Sequence, residues 1–88
     1  MIFDGRIDVV INAEEAKKAV DYLLSRPILG VDTETRPSFT KGNQHLVSLL
    51  QVSDYDICFL FRLNSTGITP DIKRLLEDKS VPKIGLSL

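Results

Sequence analysis

Eighty-eight residues, 43% of them hydrophobic and 26% charged, make at most one small globular domain. The formal net charge of −1 excludes a global attraction to nucleic acid or to an anionic membrane, so a polyanionic ligand would need a bound metal or a local basic patch, for which Arg36, Lys41 and His45 are the candidates. The single cysteine, Cys58, excludes an internal disulfide and fits a reducing compartment.

The stretch over 6–11 alternates and is β-branched, which predicts a strand. Asn12 then caps a helix, with Glu15 three residues on as its capping-box partner. That helix is expected over 13–25. Ala16, Ala19, Val20, Leu23 and Leu24 form its apolar face, and Glu14 pairs with Lys18 on the other. Pro27 ends it. The second strand, over 27–34, is apolar on both faces up to Asp32, which predicts an inner place in the sheet. A polar loop over 35–44 follows, then strands over 46–52 and 56–63 joined tightly through Ser53, Asp54 and Tyr55 as a hairpin. Asn64 to Gly67 reads as a loop. Thr69 reads as an N-cap with Pro70 at the first helical position, and Ile72, Leu75 and Leu76 give that helix its apolar stripe. Residues 83–88 read as a last strand.

The order is β-α-β-β-β-α-β, an α/β fold with a mixed sheet. A meander of three strands followed by a helical crossover should set the last strand beside the second, in parallel. Leu88 falls inside an apolar strand, which leaves a sheet face and an edge without cover. The chain therefore reads as part of something larger, and the uncovered surface predicts a homodimer. No apolar run reaches transmembrane length, and the N-terminus lacks the pattern of a signal peptide, so the expectation is a cytoplasmic chain without a membrane partner.

Asp32 and Glu34 carry the chemistry. Residues i and i+2 of a strand share a face, about 6.5–7 Å apart along it. Two carboxylates so placed repel each other until water or a cation intervenes. Hard divalent cations take oxygen ligands, often one or two carboxylates together with substrate phosphates. Without their flanking residues, the pair would read as solvated acids at a strand end.

Those flanking residues are Leu29-Gly30-Val31-Asp32-Thr33-Glu34-Thr35-Arg36-Pro37-Ser38-Phe39, then Lys41-Gly42, then Val47-Ser48-Leu49-Leu50-Gln51-Val52. Together they resemble the DEDD-type 3′-5′ exonucleases, in particular the Werner-helicase exonuclease domain and ribonuclease D. Val81-Pro82-Lys83-Ile84-Gly85 resembles the strand leading into that family's second motif. The resemblance implies a truncated RNase H-like fold, with residues 1–88 as the N-terminal part of a single exonuclease domain. It also implies hydrolysis of phosphodiesters at a DNA or RNA 3′ end with two Mg²⁺ or Mn²⁺ ions about 3.5–4 Å apart. On that pattern Asp32 bridges both metals, and Glu34 holds one metal and helps orient the attacking water. The backbone groups of Thr33 and Thr35, which flank the carboxylates, lie near the terminal nucleotide. Arg36 meets a phosphate, and Phe39 packs on a base or the loop.

The family site needs four carboxylates, and the resemblance supplies two within these residues. The chain alone is therefore expected to bind metal weakly and to be silent. Asp54, Asp56, Asp71 and Asp78 fall on the wrong elements to complete the set. The alternative is a non-catalytic RNase H-like module that binds a protein or nucleic acid. Cys58 is expected to be a small buried hydrophobe, and Phe59 and Phe61 are expected to pack in the core. Gly30 shares the face of Asp32. Gln51, a polar residue inside a strand, has no assigned role.

Overall fold

The computed structural model describes residues 5–36 and 46–85. Phe39, Lys41 and His45 lie outside them, as do residues 86–88 of the expected last strand, and the side chains of Thr35 and Arg36 are likewise not described. The elements are β1 (Arg6–Val10), α1 (Ala13–Leu23), β2 (Leu29–Arg36), β3 (Leu46–Ser53), β4 (Ile57–Arg62), α2 (Leu63–Thr66), α3 (Pro70–Glu77) and β5 (Lys83–Gly85). They form one five-stranded sheet in the order β1-β4-β3-β2-β5. β2, β3 and β4 are the expected antiparallel meander. β5 lies parallel beside β2, as the crossover argument requires. β1 pairs with β4 in parallel, so the β1–α1–β2 crossover passes over two strands before the chain re-enters the sheet.

Alternation along the strands separates two faces. One carries Val10, Phe59, Phe61, Leu50, Val52 and Leu29, which pack against Ala16, Ala19, Val20 and Leu23 of α1 and Ile72 and Leu75 of α3. Phe61 is fully buried at the middle of this core, where an aromatic side chain contributes roughly 1.5–3 kcal/mol relative to exposure. The other face carries Ile7, Val9, Cys58, Leu60, Leu49 and Gln51, with Asp32 and Glu34. No described helix covers it. Ile7 and Val9 remain about half exposed there, at 54% and 50%.

The helix ends follow their sequence signals with small shifts. Asn12 Oδ1 accepts the Glu15 N–H at 2.8 Å. Glu15 Oε1 reaches back past Asn12 and accepts the Ile11 N–H at 3.0 Å, so the box closes one residue further out than its usual form. α1 stops at Leu23, short of the expected Ser25, because the amides of Ser25 and Arg26 turn back to Tyr22 and Leu23 at 3.1 Å in i→i−3 bonds. Thr69 Oγ1 accepts the Ile72 N–H at 3.1 Å, and Pro70 opens α3. Leu76 is 44% exposed, so the apolar stripe of α3 is narrower than its sequence implied.

Asn64 to Thr66, expected as loop, lie instead in the single turn of α2. Gly67 ends that turn with φ 67° while its N–H bonds Leu63 O at 2.8 Å. A left-handed residue after a helical turn is the setting that favours glycine. Among the described residues, no helix is long and apolar enough to cross a membrane.

Candidate metal and nucleic-acid site

β2 is an inner strand, flanked by β3 and β5, and that position fixes the two acids. In register, Val31 faces Val52 and Thr33 faces Leu50, both core residues, so Gly30, Asp32 and Glu34 emerge on the uncovered face. Asp32 stands opposite Gln51, and Glu34 opposite Leu49. The Asp32 carboxylate is half-buried, and its Oδ1 accepts the Thr33 N–H at 2.8 Å. One oxygen is thus held against the strand. Glu34 is exposed.

The β2–β3 register shifts between Glu34 and Thr35, where Ser48 is the extra residue on β3. A bulge at this point re-aims the strand just past the acids, as bulges beside functional sites do. β2 continues through Thr35 and Arg36, where the sequence suggested a loop. The Thr33 side chain falls on the helix-covered face, so it is the Thr33 backbone, the part expected near substrate, that adjoins the acids.

Glu34 lines a shallow open cavity of about 250 Å³ with Ser48, Arg62 and Asn64, floored by Val9 and Leu60. A larger cavity of about 550 Å³ lies between β1 and α1, away from both acids. Its charged groups are already engaged locally: Arg6 with Asp8, Lys18 with Glu14, and Glu15 with the Ile11 amide. Size alone therefore does not mark the site.

The remaining acids serve the scaffold. Asp54, with a side chain only 1% exposed, accepts the Tyr22 hydroxyl and the Asp56 and Ile57 amides, each amide at 2.7 Å. Arg26 Nε lies 3.1 Å from it, close enough for an ion pair but outside hydrogen-bonding geometry. Burial would raise the Asp54 carboxyl. The Tyr22 and amide hydrogen bonds, with the Arg26 charge, outweigh it and hold the group below the usual carboxylate value. Asp78 is held low by the Val81 amide and the Ser80 hydroxyl, and turns the chain from α3 into β5. Asp71 pairs with Arg74. Among the described residues, no three histidine, cysteine or acidic side chains converge as a metal cluster.

Matches to known proteins fit this arrangement. A family model described as 3′-5′ exonuclease matches residues 7–88. The chain belongs to the 3′-5′ exonuclease family. Three similar solved structures share the fold. The Trypanosoma brucei RNase D complex with RNA U12 is 27% identical, with a TM-score of 0.71, over 96% of this chain and 30% of that one. Escherichia coli RNase D, an exoribonuclease involved in structured RNA processing, is 19% identical with a TM-score of 0.76, over 91% of this chain and 21% of that one. The EXD2 exonuclease domain soaked in Mg and GMP is 26% identical with a TM-score of 0.72, over 93% of this chain and 45% of that one. The chain thus spans less than half the length of these solved chains. No curated protein sequence gave a significant match.

Two residues on the acidic face were not assigned by sequence reasoning. Gln51 interrupts an apolar strand, which signals a polar purpose, but only the register reveals that it faces Asp32. Arg62 ends the apolar run of β4, and nothing in the sequence says that it shares a cavity with Glu34.

Proposed function

We propose that these residues are the N-terminal part of one 3′-5′ exonuclease domain and supply half of a divalent-metal site for hydrolysis at a nucleic-acid 3′ end. The observation that carries this reading is the pair of carboxylates on the uncovered face of an inner strand, beside a bulge. Two hard oxygen donors, one of them held in place by the Thr33 amide, suit Mg²⁺ or Mn²⁺. Bound cations would supply Lewis-acid stabilisation of the charge that develops on the phosphoryl oxygens, and would generate the nucleophile from water at neutral pH.

The chain's own contribution is positional. Asp32, tied to its strand, presents its other oxygen to the open face. Glu34, exposed at the cavity, can hold a cation and accept a hydrogen bond from the attacking water. The backbone around Thr33, Thr35 and Arg36 borders the place for the terminal nucleotide. An RNA complex and a Mg- and GMP-soaked domain among the related structures support this class of substrate and cation. The two acids here are half of the four-carboxylate set, so the 88-residue chain by itself is expected to be catalytically silent.

The test is digestion of a labelled oligonucleotide by the full-length gene product and by the 88-residue chain. Mg²⁺-dependent shortening from the 3′ end by the former, lost in Asp32→Ala and in Glu34→Ala, supports the reading. Retention of that activity in both variants refutes it. Digestion by the 88-residue chain that disappears in Asp32→Ala would refute the silence of the isolated chain.

A further inference from the structure

A negatively charged strand approaching Asp32 and Glu34 meets carboxylates, and a chain of net charge −1 offers no general attraction. Most described cations are engaged elsewhere. Arg6, Lys17, Lys18, Arg26, Arg74 and Lys83 each sit in an ion pair. Lys73 belongs to α3, and Lys79 follows it, on the helix side of the sheet. Arg62 is different. It is exposed at the end of β4, in register with Leu49, which is in register with Glu34. The three lie in one row across the uncovered face. Two interstrand steps separate Arg62 from Glu34, about 10 Å between backbones. Both line the same 250 Å³ cavity, with Asn64 and Ser48 as neutral polar neighbours and Val9 and Leu60 as an apolar floor.

We infer that Arg62 holds a backbone phosphate of a single-stranded nucleic acid, next along the strand from the phosphate presented to Asp32 and Glu34. Its ligand rests on the exonuclease reading for its identity. A guanidinium is always charged and offers a planar fork of donors that matches two phosphate oxygens. The distance from Glu34 keeps it clear of the reacting group, so it anchors and orients the strand. Asn64 adds an amide within the same cavity, and the Val9–Leu60 floor gives a sugar or base edge an apolar surface. At 250 Å³ the cavity is smaller than a pocket that encloses a whole small-molecule ligand, as suits a groove through which a strand passes.

The test is fluorescence anisotropy of the chain with labelled single-stranded RNA and DNA of one sequence, across a range of salt concentrations, with Mg²⁺ present. Arg62→Ala should weaken both ligands about tenfold, as expected for one charge-assisted contact. It should also reduce the slope of log affinity against log salt by about 0.7, the value for one phosphate contact on a single strand. Arg62→Lys should keep the slope and lose part of the affinity. Lys73→Ala should change neither.

Wild-type affinity and slope in Arg62→Ala would overturn the assignment, and so would failure of the wild-type chain to bind either strand. A loss confined to RNA would overturn it too, since phosphate is common to both ligands. The two readings fail separately. If Arg62→Ala lowers the slope while the full-length product keeps its activity in Asp32→Ala and Glu34→Ala, the hydrolytic reading falls and the strand contact stands.

Discussion

Replacing Asp54 with alanine would release three segments at once. Its carboxylate joins Tyr22 of α1, Arg26 in the connection to β2, and the amides of Asp56 and Ile57 in the β3–β4 turn. The side chain is 1% exposed, so solvent replaces little of what is lost. Breaking a buried charged network by removing one partner costs about 3–5 kcal/mol. The turn amides can recover some hydration, which places Asp54→Ala near the lower end, about 3 kcal/mol. The total stability of a chain this size is roughly 4–13 kcal/mol, so the loss is a large share. Near the midpoint it corresponds to a fall in Tm of roughly 12–24 °C. Tyr22→Phe removes one donor and keeps the ring against Phe59, at a centroid distance of 5.9 Å, so it should lower Tm by less.

The pH dependence has a definite sign. The Asp54 carboxyl is depressed in the folded chain. Its stabilisation is therefore fully present above the unfolded value of about 3.9 and is lost as pH falls through the lower folded value. Urea unfolding followed by circular dichroism measures both effects. A loss under about 1 kcal/mol for Asp54→Ala, or a wild-type advantage over Asp54→Asn that grows as the solution is acidified below the usual carboxylate range, would refute the reasoning.

Two further substitutions probe the helix start and the site. Asn12→Ala removes the cap on the Glu15 amide and should cost about 1 kcal/mol in the same unfolding assay. Gln51→Glu places a third carboxylate directly opposite Asp32. It should lower stability without metal, since like charges facing across strands repel, and tighten Mn²⁺ binding in calorimetry. Weaker Mn²⁺ binding than wild type would contradict the placement of Gln51 beside the acids.

Much of the fold was legible because local signals agreed with the global arrangement. The Asn12 and Thr69 caps, the apolar run of β2 and the crossover into β5 each pointed to the element found. Three features depended on tertiary context. The place of β1 beside β4 is set by which edge the crossover reaches, and alternation within β1 does not encode that. The turn of α2 depends on Gly67 adopting a left-handed conformation, and a polar sequence over 64–67 looks the same as a loop. The extension of β2 to Arg36 depends on a bulge in its partner. At the site, the shared face of Asp32 and Glu34 follows from their spacing alone. Gln51 and Arg62 join them only through register, which a single sequence does not state. Asp54 looked like an ordinary turn residue because its main partners, Tyr22 and Arg26, lie about thirty residues earlier.

Paramagnetic broadening by Mn²⁺ in the ¹⁵N-resolved spectrum of the chain tests the central claim most directly, because it registers even weak occupancy and reports where the ion sits. Signals of Asp32, Thr33, Glu34 and Gln51 should broaden first, and Asp32→Asn together with Glu34→Gln should abolish the effect. Broadening centred on Asp54, Asp71 or Asp78, or broadening around β2 that persists without the two carboxylates, would contradict it.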